Sequence, residues 1–459
     1  MERKVPTTGL PEEVLHCGAG KRRDVLSPAL ARLLESLGRK AKQEPRFRFY
    51  ALYDRIYRLD TLTAAWNRCR KNDGSPGIDG IRFEDIEHSE GGVDGFLSEI
   101  HASLRSGSYA AQAVKRVYIE KANGKLRPLG IPTIRDRIIQ TAVMLVVEPI
   151  FESDFLECSY GFRPNRSAHD ALLEVQKAVR NGYQVVYDAD LQSYFDTIPH
   201  DKLLSAVSWR IADGSVLGLL RQWLCAPVSD TNPDSSFEAR KGHGTPQGGV
   251  VSPLLANLYL HWFDKAVIGK MTKEKIHGRL IRYADDFVIL TPRRETRLHE
   301  FVEKELEGRF GLALNREKTR VVDLKEAGTS LDFLGYTFGY ARKYRNGKTE
   351  RYHRMSPSRK SVTRAKSRVH ELTSRSRGFL SLPDHVGALN RFLIGWGSYF
   401  RLWHTGTAFK EVNWYVQCRL CYLLRRGSQR GSKLLDDKRI TRFLQESGLF
   451  RLKSVPVAC

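Results

Sequence analysis

The sequence predicts an α+β fold whose last third is helical and basic. Three observations carry that reading. Through residue 340 the apolar spacing keeps switching between a helical period and a strand period. Beyond it the chain turns basic and keeps the helical period. Two β-type stretches about a hundred residues apart, "VVYDADLQSYFD" and "LIRYADDFVIL", each end in or contain carboxylates.

The elements follow in order. Residues 1–45 are polar and basic, with weak helical patterning in "LSPALARLLESLG". The spacing over 47–69 predicts one amphipathic helix, closed by the turn "NDGSPGIDG". "VKRVYIEKANGKLRPLGIP" alternates about an Asn-Gly pair and predicts a hairpin. Residues 134–148 read as a helix stopped by Pro149. "NGYQVVYDADLQSYFDTI" is a strand entering a turn, and "PLLANLYLHWFDKAV" a helix opened by Pro253. "LIRYADDFVIL" reads as strand, turn, strand, "HEFVEKELEGRFGLAL" as a helix and "LDFLGYTFGYA" as one strand. Residues 356–426 read as helix, with Trp396, Trp403 and Trp414 at core-like spacing. The expected domains are a basic extension over 1–45, a mixed α/β domain over 46–340 and a basic helical domain over 341–459.

The 459 residues, 41% of them hydrophobic, suffice for a large core in two or three domains. The N-terminus has no apolar core of a secretory leader, and no apolar run reaches the length of a membrane span. A cytoplasmic protein with no membrane partner is expected. Seven scattered cysteines fit reduced thiols, and the single "CRLC" lacks a second pair for zinc, which leaves helix packing as its use. Net charge is +23, and residues 341–380 alone hold thirteen Lys/Arg against two Glu, a net of +11. A basic surface of that size predicts a nucleic-acid partner.

A buried strand has no structural use for unpaired carboxylates, because burying them is costly. Asp188 and Asp190 share one face of their strand, with Asp190 where the strand gives way to a turn. Asp285 and Asp286 sit at the tip of an apolar hairpin. Two such segments side by side make a hard-oxygen site suited to Mg²⁺ shared with substrate phosphates. Such a site serves phosphoryl transfer. No Walker loop, H-E-x-x-H or G-x-S-x-G occurs, so phosphate contacts fall to the basic hairpin with Lys115, Arg116, Lys121, Lys125 and Arg127. In "GTPQGGVVSPLLANLYL", Gly248 and Gly249 bare the backbone beside Gln247 for close approach of a nucleotide. Asp188 is read as an arginine-paired strand end rather than a ligand. Arg163 and Arg166, in "GFRPNRS", fit template phosphates and structural ion pairs equally well.

Together "RPLGIPTIRDRIIQTA", "SYGFRPNRSAHDAL", "DADLQSYFD", "GTPQGG" with "SPLLANLYL", and "YADD" resemble the group II intron reverse transcriptases, or intron-encoded maturases, in that family's order and spacing over residues 50–426. The resemblance implies a right-hand polymerase, with fingers and palm followed by an α-helical thumb/maturase domain. It implies RNA-directed DNA synthesis with Mg²⁺, using an RNA template, a DNA primer and dNTPs, and binding of a group II intron RNA to assist splicing. It makes Asp190, Asp285 and Asp286 the metal ligands and Lys318, in "LNREKTRVVD", a catalytic lysine near the pyrophosphate. Lys115, Lys121 and Arg127 would grip the triphosphate and Gln247 the nucleotide. Tyr194 and Phe195 match an aromatic pair, one of which screens the ribose 2′-hydroxyl. Relatives usually carry Phe-Phe there, so Tyr194 is expected to loosen sugar discrimination. Arg359, Lys360 and Arg364 fall on the basic thumb that holds nucleic acid, and "LNRFLIGWGSYFRLWHTG" matches the maturase signature. No His/Cys-rich endonuclease module follows, and the stretch after Arg426 is short for the family's DNA-binding region. A host-recruited relative serving defence, CRISPR adaptation or repair is the alternative. A non-polymerising splicing cofactor is a second, opposed by the intact carboxylate set.

Overall fold

The computed structural model describes residues 26–120, 126–230, 242–245, 248–345, 348–427 and 446–454. The N-terminal part is built around the helix Ile134–Glu152, in which residues 138–147 are all buried. A helix apolar on every side must be a core helix, and the helices Pro28–Gln43 and Leu59–Asn72 pack along it. The expected stop at Pro149 does not occur. The helix continues to Glu152 because Ile150 and Phe151, beyond the proline, are buried at 0% and 1% exposure. An interior proline costs about 3 kcal/mol, and two such buried side chains return about 1.5–3 kcal/mol each.

The single helix expected over 47–69 is broken. Phe49 forms an isolated bridge with Ile211, Tyr53–Ile56 is one short turn, and Leu59–Asn72 starts afresh after an extended Arg58. A distant carboxylate fixes the break: Asp213 accepts from the backbone N–H of Leu52 at 2.8 Å and of Tyr53 at 2.9 Å.

Ten strands are described: β1 (Val114–Glu120), β2 (Leu126–Ile131), β3 (Val185–Ala189), β4 (Val228–Asp230), β5 (Arg279–Tyr283), β6 (Asp286–Thr291), β7 (Arg320–Asp323), β8 (Ser330–Phe333), β9 (Tyr336–Arg345) and β10 (Lys348–Pro357). Their sheets run β2-β1-β4, β5-β6-β3-β7 and β10-β9-β8. The predicted hairpins appear as β1–β2 and β5–β6, both antiparallel. The four-stranded sheet is covered on both faces. Tyr187, Leu280, Phe287 and Ile289 join the core that holds the helix Ser252–Lys273. Val186, Ile281, Val288 and Leu290 join the core shared with the helix Ala168–Arg180 and the C-terminal helices. Burial on both faces explains why "LIRYADDFVIL" is apolar at nearly every position apart from its turn.

Two expectations near residue 340 change. "LDFLGYTFGYA" is two strands with a turn at Leu334–Gly335, and β10, unread in the sequence, pairs along the whole of β9. The change of composition at 341 therefore falls inside β9. Phe338 and Met355 of this hairpin are buried with Val362, Leu389 and Val412. The helix read over 299–314 is shorter, Thr296–Lys304 with one π turn, Glu305–Arg309. Arg359–Leu372, Leu382–Tyr399 and Gly406–Gly427 complete the expected helical region. No described helix is long and apolar enough to cross a membrane.

Candidate active site

The register of the central sheet brings the carboxylates together. Ala189 of β3 lies opposite Phe287 of β6, and one step further along the same antiparallel ladder sets Asp190 beside Asp286. On the other side of β3, Asp188 pairs with Arg320, and two further steps set Asp190 beside Lys318. Tyr283 pairs with Asp286, so Ala284 and Asp285 form the two-residue turn of the β5–β6 hairpin, with Ala284 at φ 58°. Such turns need positive φ to match strand twist.

The turn after β3 is tied to the chain before β7. The N–H of Asn315 donates to the Asp190 carbonyl at 2.8 Å, and that of Gln192 to Ala313 at 2.8 Å. Lys318 Nζ donates to Asp190 Oδ2 at 2.8 Å. Arg320 Nε donates to Asp188 Oδ2 at 3.2 Å, the pairing expected for that residue. Asp286 is exposed, yet the walls around its carboxyl and the negative charges of Asp285, Asp190 and Asp188 push it up to about 7. The repulsion among the four is the firmer cause, because the side chain keeps contact with solvent.

Among the described residues no three His, Cys, Asp or Glu side chains close into a protein-only metal cage. The donor set still fits a hard cation. Mg²⁺ is bound through one or two carboxylates plus substrate phosphates rather than by dedicated cages, and mutually repelling carboxylates at the end of a rigid sheet supply that partial set.

The neighbouring turn corrects the reading of the aromatic pair. Tyr194 is 3% exposed, and its hydroxyl donates to the Ala256 carbonyl at 2.6 Å, under the Ser252–Lys273 helix. It is a core residue. Phe195 is the half-buried member. Its carbonyl accepts from the N–H of Thr245 at 2.6 Å, so the Gly-rich loop is docked on this turn. His200, which the sequence reading missed, adds a ring nitrogen 2.7 Å from the Gly244 carbonyl. Its position six residues after Tyr194 gave no periodic signal. Gly248, at φ 111°, lies so close to β2 that a Cβ would collide with the Gly130 carbonyl. The loop, β2 and the aromatic turn thus meet. Gln247 and Lys121 lie outside the described residues. Arg127 sits on β2 opposite Ile119, and Lys115 is half-buried on β1 opposite Ile131.

Arg163 is not a phosphate contact. It is 8% exposed, and its guanidinium binds Glu152 at 2.7 Å and the carbonyls of Leu156 and Ser159 at 2.7 and 2.8 Å. Arg166 is also engaged, with Glu157 and over the Tyr160 ring. Arg163 is taken up by structural pairing because its guanidinium is buried on internal acceptors, whereas the partner of Arg166 is an exposed surface carboxylate. Arg359, Lys360 and Arg364 are exposed on a helix whose other face buries Val362, Ala365 and Val369. Trp396 packs on Phe400 and Phe409, and Arg180 covers Trp403. Trp414 departs from the core expectation at 63% exposure, being on the outer side of its helix from Val412 and Val416.

Comparison with known proteins agrees with this geometry. Residues 119–338 match the reverse transcriptase (RNA-dependent DNA polymerase) family, and residues 362–442 the group II intron maturase-specific domain. Protein YkfC of Escherichia coli K12 is 34% identical over 343 residues, which cover 67% of this chain and 87% of YkfC. The chain belongs to the group II intron reverse transcriptases. The intron-encoded protein LtrA of Lactococcus lactis is 36% identical over 249 residues, 53% of this chain and 39% of LtrA. A solved partial Cas6-RT-Cas1–Cas2 complex matches 56% of this reverse transcriptase and 43% of its own chain at 24% identity and a TM-score of 0.35. The two domain matches make this enzyme an RNA-directed DNA polymerase with a maturase region, handling RNA as template and as intron. Reverse transcriptases of this kind work with a divalent cation.

Proposed function

We propose that this reverse transcriptase extends a DNA primer along an RNA template with dNTPs and Mg²⁺. The observation that carries the proposal is the placement of Asp190 beside Asp286 at the sheet end, next to the Asp285 turn. Asp190, Asp285 and Asp286 would hold the ion. Bound there, Mg²⁺ supplies charge stabilisation for the attacking and leaving oxygens of phosphoryl transfer.

The remaining roles belong to the chain. Lys318 neutralises Asp190 in the free enzyme and, once released, gives its proton to the departing pyrophosphate. Phe195, not Tyr194, stands against the ribose and excludes a 2′-hydroxyl. Lys115 on β1 and Arg127 on β2, together with Lys121, grip the triphosphate, with Gln247 on the nucleotide. The fingers and palm lie within 46–340 and the thumb within 341–459, where Arg359, Lys360 and Arg364 hold the template–primer through its phosphates. The maturase region binds a group II intron RNA and assists its splicing. RNA-templated primer extension by wild type and Asp285→Ala tests the proposal. Extension by wild type alone supports it, and equal extension by both overturns it.

A further inference from the structure

Arg282 lies in the middle of β5, three residues before Asp285, and is wholly buried. Its guanidinium binds Asp264, itself 0% exposed, at 2.6 Å through Nη2 and 2.8 Å through Nε. Nη1 donates to Asn257 Oδ1 at 2.9 Å and to the Ala284 carbonyl at 2.9 Å. Asn257 in turn donates to the Gly161 carbonyl at 2.5 Å. Gly161 leans on the same turn so closely that a Cβ there would collide with the Ala284 nitrogen.

Stability does not account for this network. A buried ion pair gains little over an apolar pair of the same volume, and replacing one is often neutral or stabilising. What the network does is local. Ala284 holds a positive φ that a non-glycine residue adopts at a cost. The fork of Arg282 ends on its carbonyl, the Gly161 backbone closes the other side, and Asp285 is the next residue. Asn257 and Asp264 both lie on the Ser252–Lys273 helix, so the turn is referenced to the largest helix of that core.

We propose that Arg282 is a positioning residue: its buried guanidinium, oriented by Asp264 and Asn257, sets the Ala284 carbonyl and with it the direction in which Asp285 presents its carboxylate to a divalent cation. This rests on the polymerase reading. Outer partners that orient metal ligands change metal affinity or activity by about 10–100-fold when removed.

The test uses the double variant Arg282→Met/Asp264→Leu, which removes the buried charges together, and Arg282→Lys, which keeps the charge and loses the fork. The full chain is bound to an RNA template and a dideoxy-terminated DNA primer with the next dNTP. Mn²⁺ binding is followed by the paramagnetic resonance signal of the free ion. Thermal unfolding in EDTA, template–primer affinity and single-turnover extension are measured on the same preparations. The expected result is a double variant that unfolds at or above the wild-type temperature and binds template–primer within about twofold. Its Mn²⁺ midpoint rises about tenfold or more, and Arg282→Lys moves the same way. A purely structural role would lower the unfolding temperature or the active fraction and leave the midpoint in place. Folded variants with a wild-type Mn²⁺ midpoint overturn the positioning role alone. A wild type that neither binds Mn²⁺ in this complex nor extends a primer overturns the polymerase reading and the positioning role together.

Discussion

Replacing Tyr194 by Phe separates stability from sugar selection. The Tyr194 hydroxyl makes one hydrogen bond, 2.6 Å to the Ala256 carbonyl, in a fully buried setting. A neutral buried hydrogen bond contributes about 0.5–1.5 kcal/mol net. The ring itself is kept, so no cavity adds to the loss. Tyr194→Phe should therefore be destabilised by about 1 kcal/mol, read as a lower urea midpoint with unchanged slope. Its ratio of dNTP to rNTP incorporation, measured as kcat/KM on one template, should match the wild type. Phe195→Val should do the reverse, keeping stability close to wild type while the ratio falls by on the order of tenfold or more. A Tyr194→Phe enzyme with altered sugar discrimination would refute the placement of this ring in the core.

Other outcomes follow from the same geometry. The Asp286 carboxyl, raised from 3.8 to about 7, holds its proton to higher pH in the folded chain than in the unfolded one. Without metal, stability should fall as pH rises from 4 through 7, and metal-supported extension should weaken below pH 7. Urea midpoints in EDTA at pH 5 and pH 8 should therefore differ more for wild type than for Asp286→Asn, and parallel shifts would contradict the assignment. Arg163→Ala takes the guanidinium from Glu152 and from the Ser159 and Leu156 carbonyls, of which Leu156 keeps the Ser159 N–H, and should cost about 3 kcal/mol of stability. The salt dependence of template–primer binding, read from affinities at several KCl concentrations, should not change. The triple replacement of Arg359, Lys360 and Arg364 by Ala should leave stability intact and lower the slope of log affinity against log salt by up to about 3. An unchanged slope would remove that helix face from the nucleic-acid surface.

The palm strands and the paired carboxylates were legible because their signals are local. "YADD" within an apolar run and "DADLQSYFD" ending another are readable without knowing what packs on them, and the sheet register then juxtaposes them. The signals that failed were decided by distant residues. Asp213 breaks the helix expected over 47–69. Burial of Ile150 and Phe151 carries a helix through Pro149. Tyr194 and Phe195 are adjacent, and only the docking of the Ser252–Lys273 helix decides which ring is core. Arg163 and Arg166 fit phosphates and ion pairs equally well in the sequence, because their acidic partners at 152 and 157 are brought to them only by the fold. β10 was hidden because its charged residues read as the start of the basic helical region.

The central claim is that Asp190, Asp285 and Asp286 act as one metal-dependent centre for copying RNA. The most direct measurement is the single-turnover rate of DNA-primer extension on an RNA template as Mg²⁺ is titrated. Wild type is compared with Asp190→Ala and Asp285→Ala, and template–primer affinity is measured on the same preparations. Mg²⁺-dependent extension is expected of the wild type, with a loss of at least about a hundredfold in each variant and template–primer binding retained. Variants that keep wild-type rates, or a wild type that binds template–primer and does not extend it at any Mg²⁺ concentration, would contradict it.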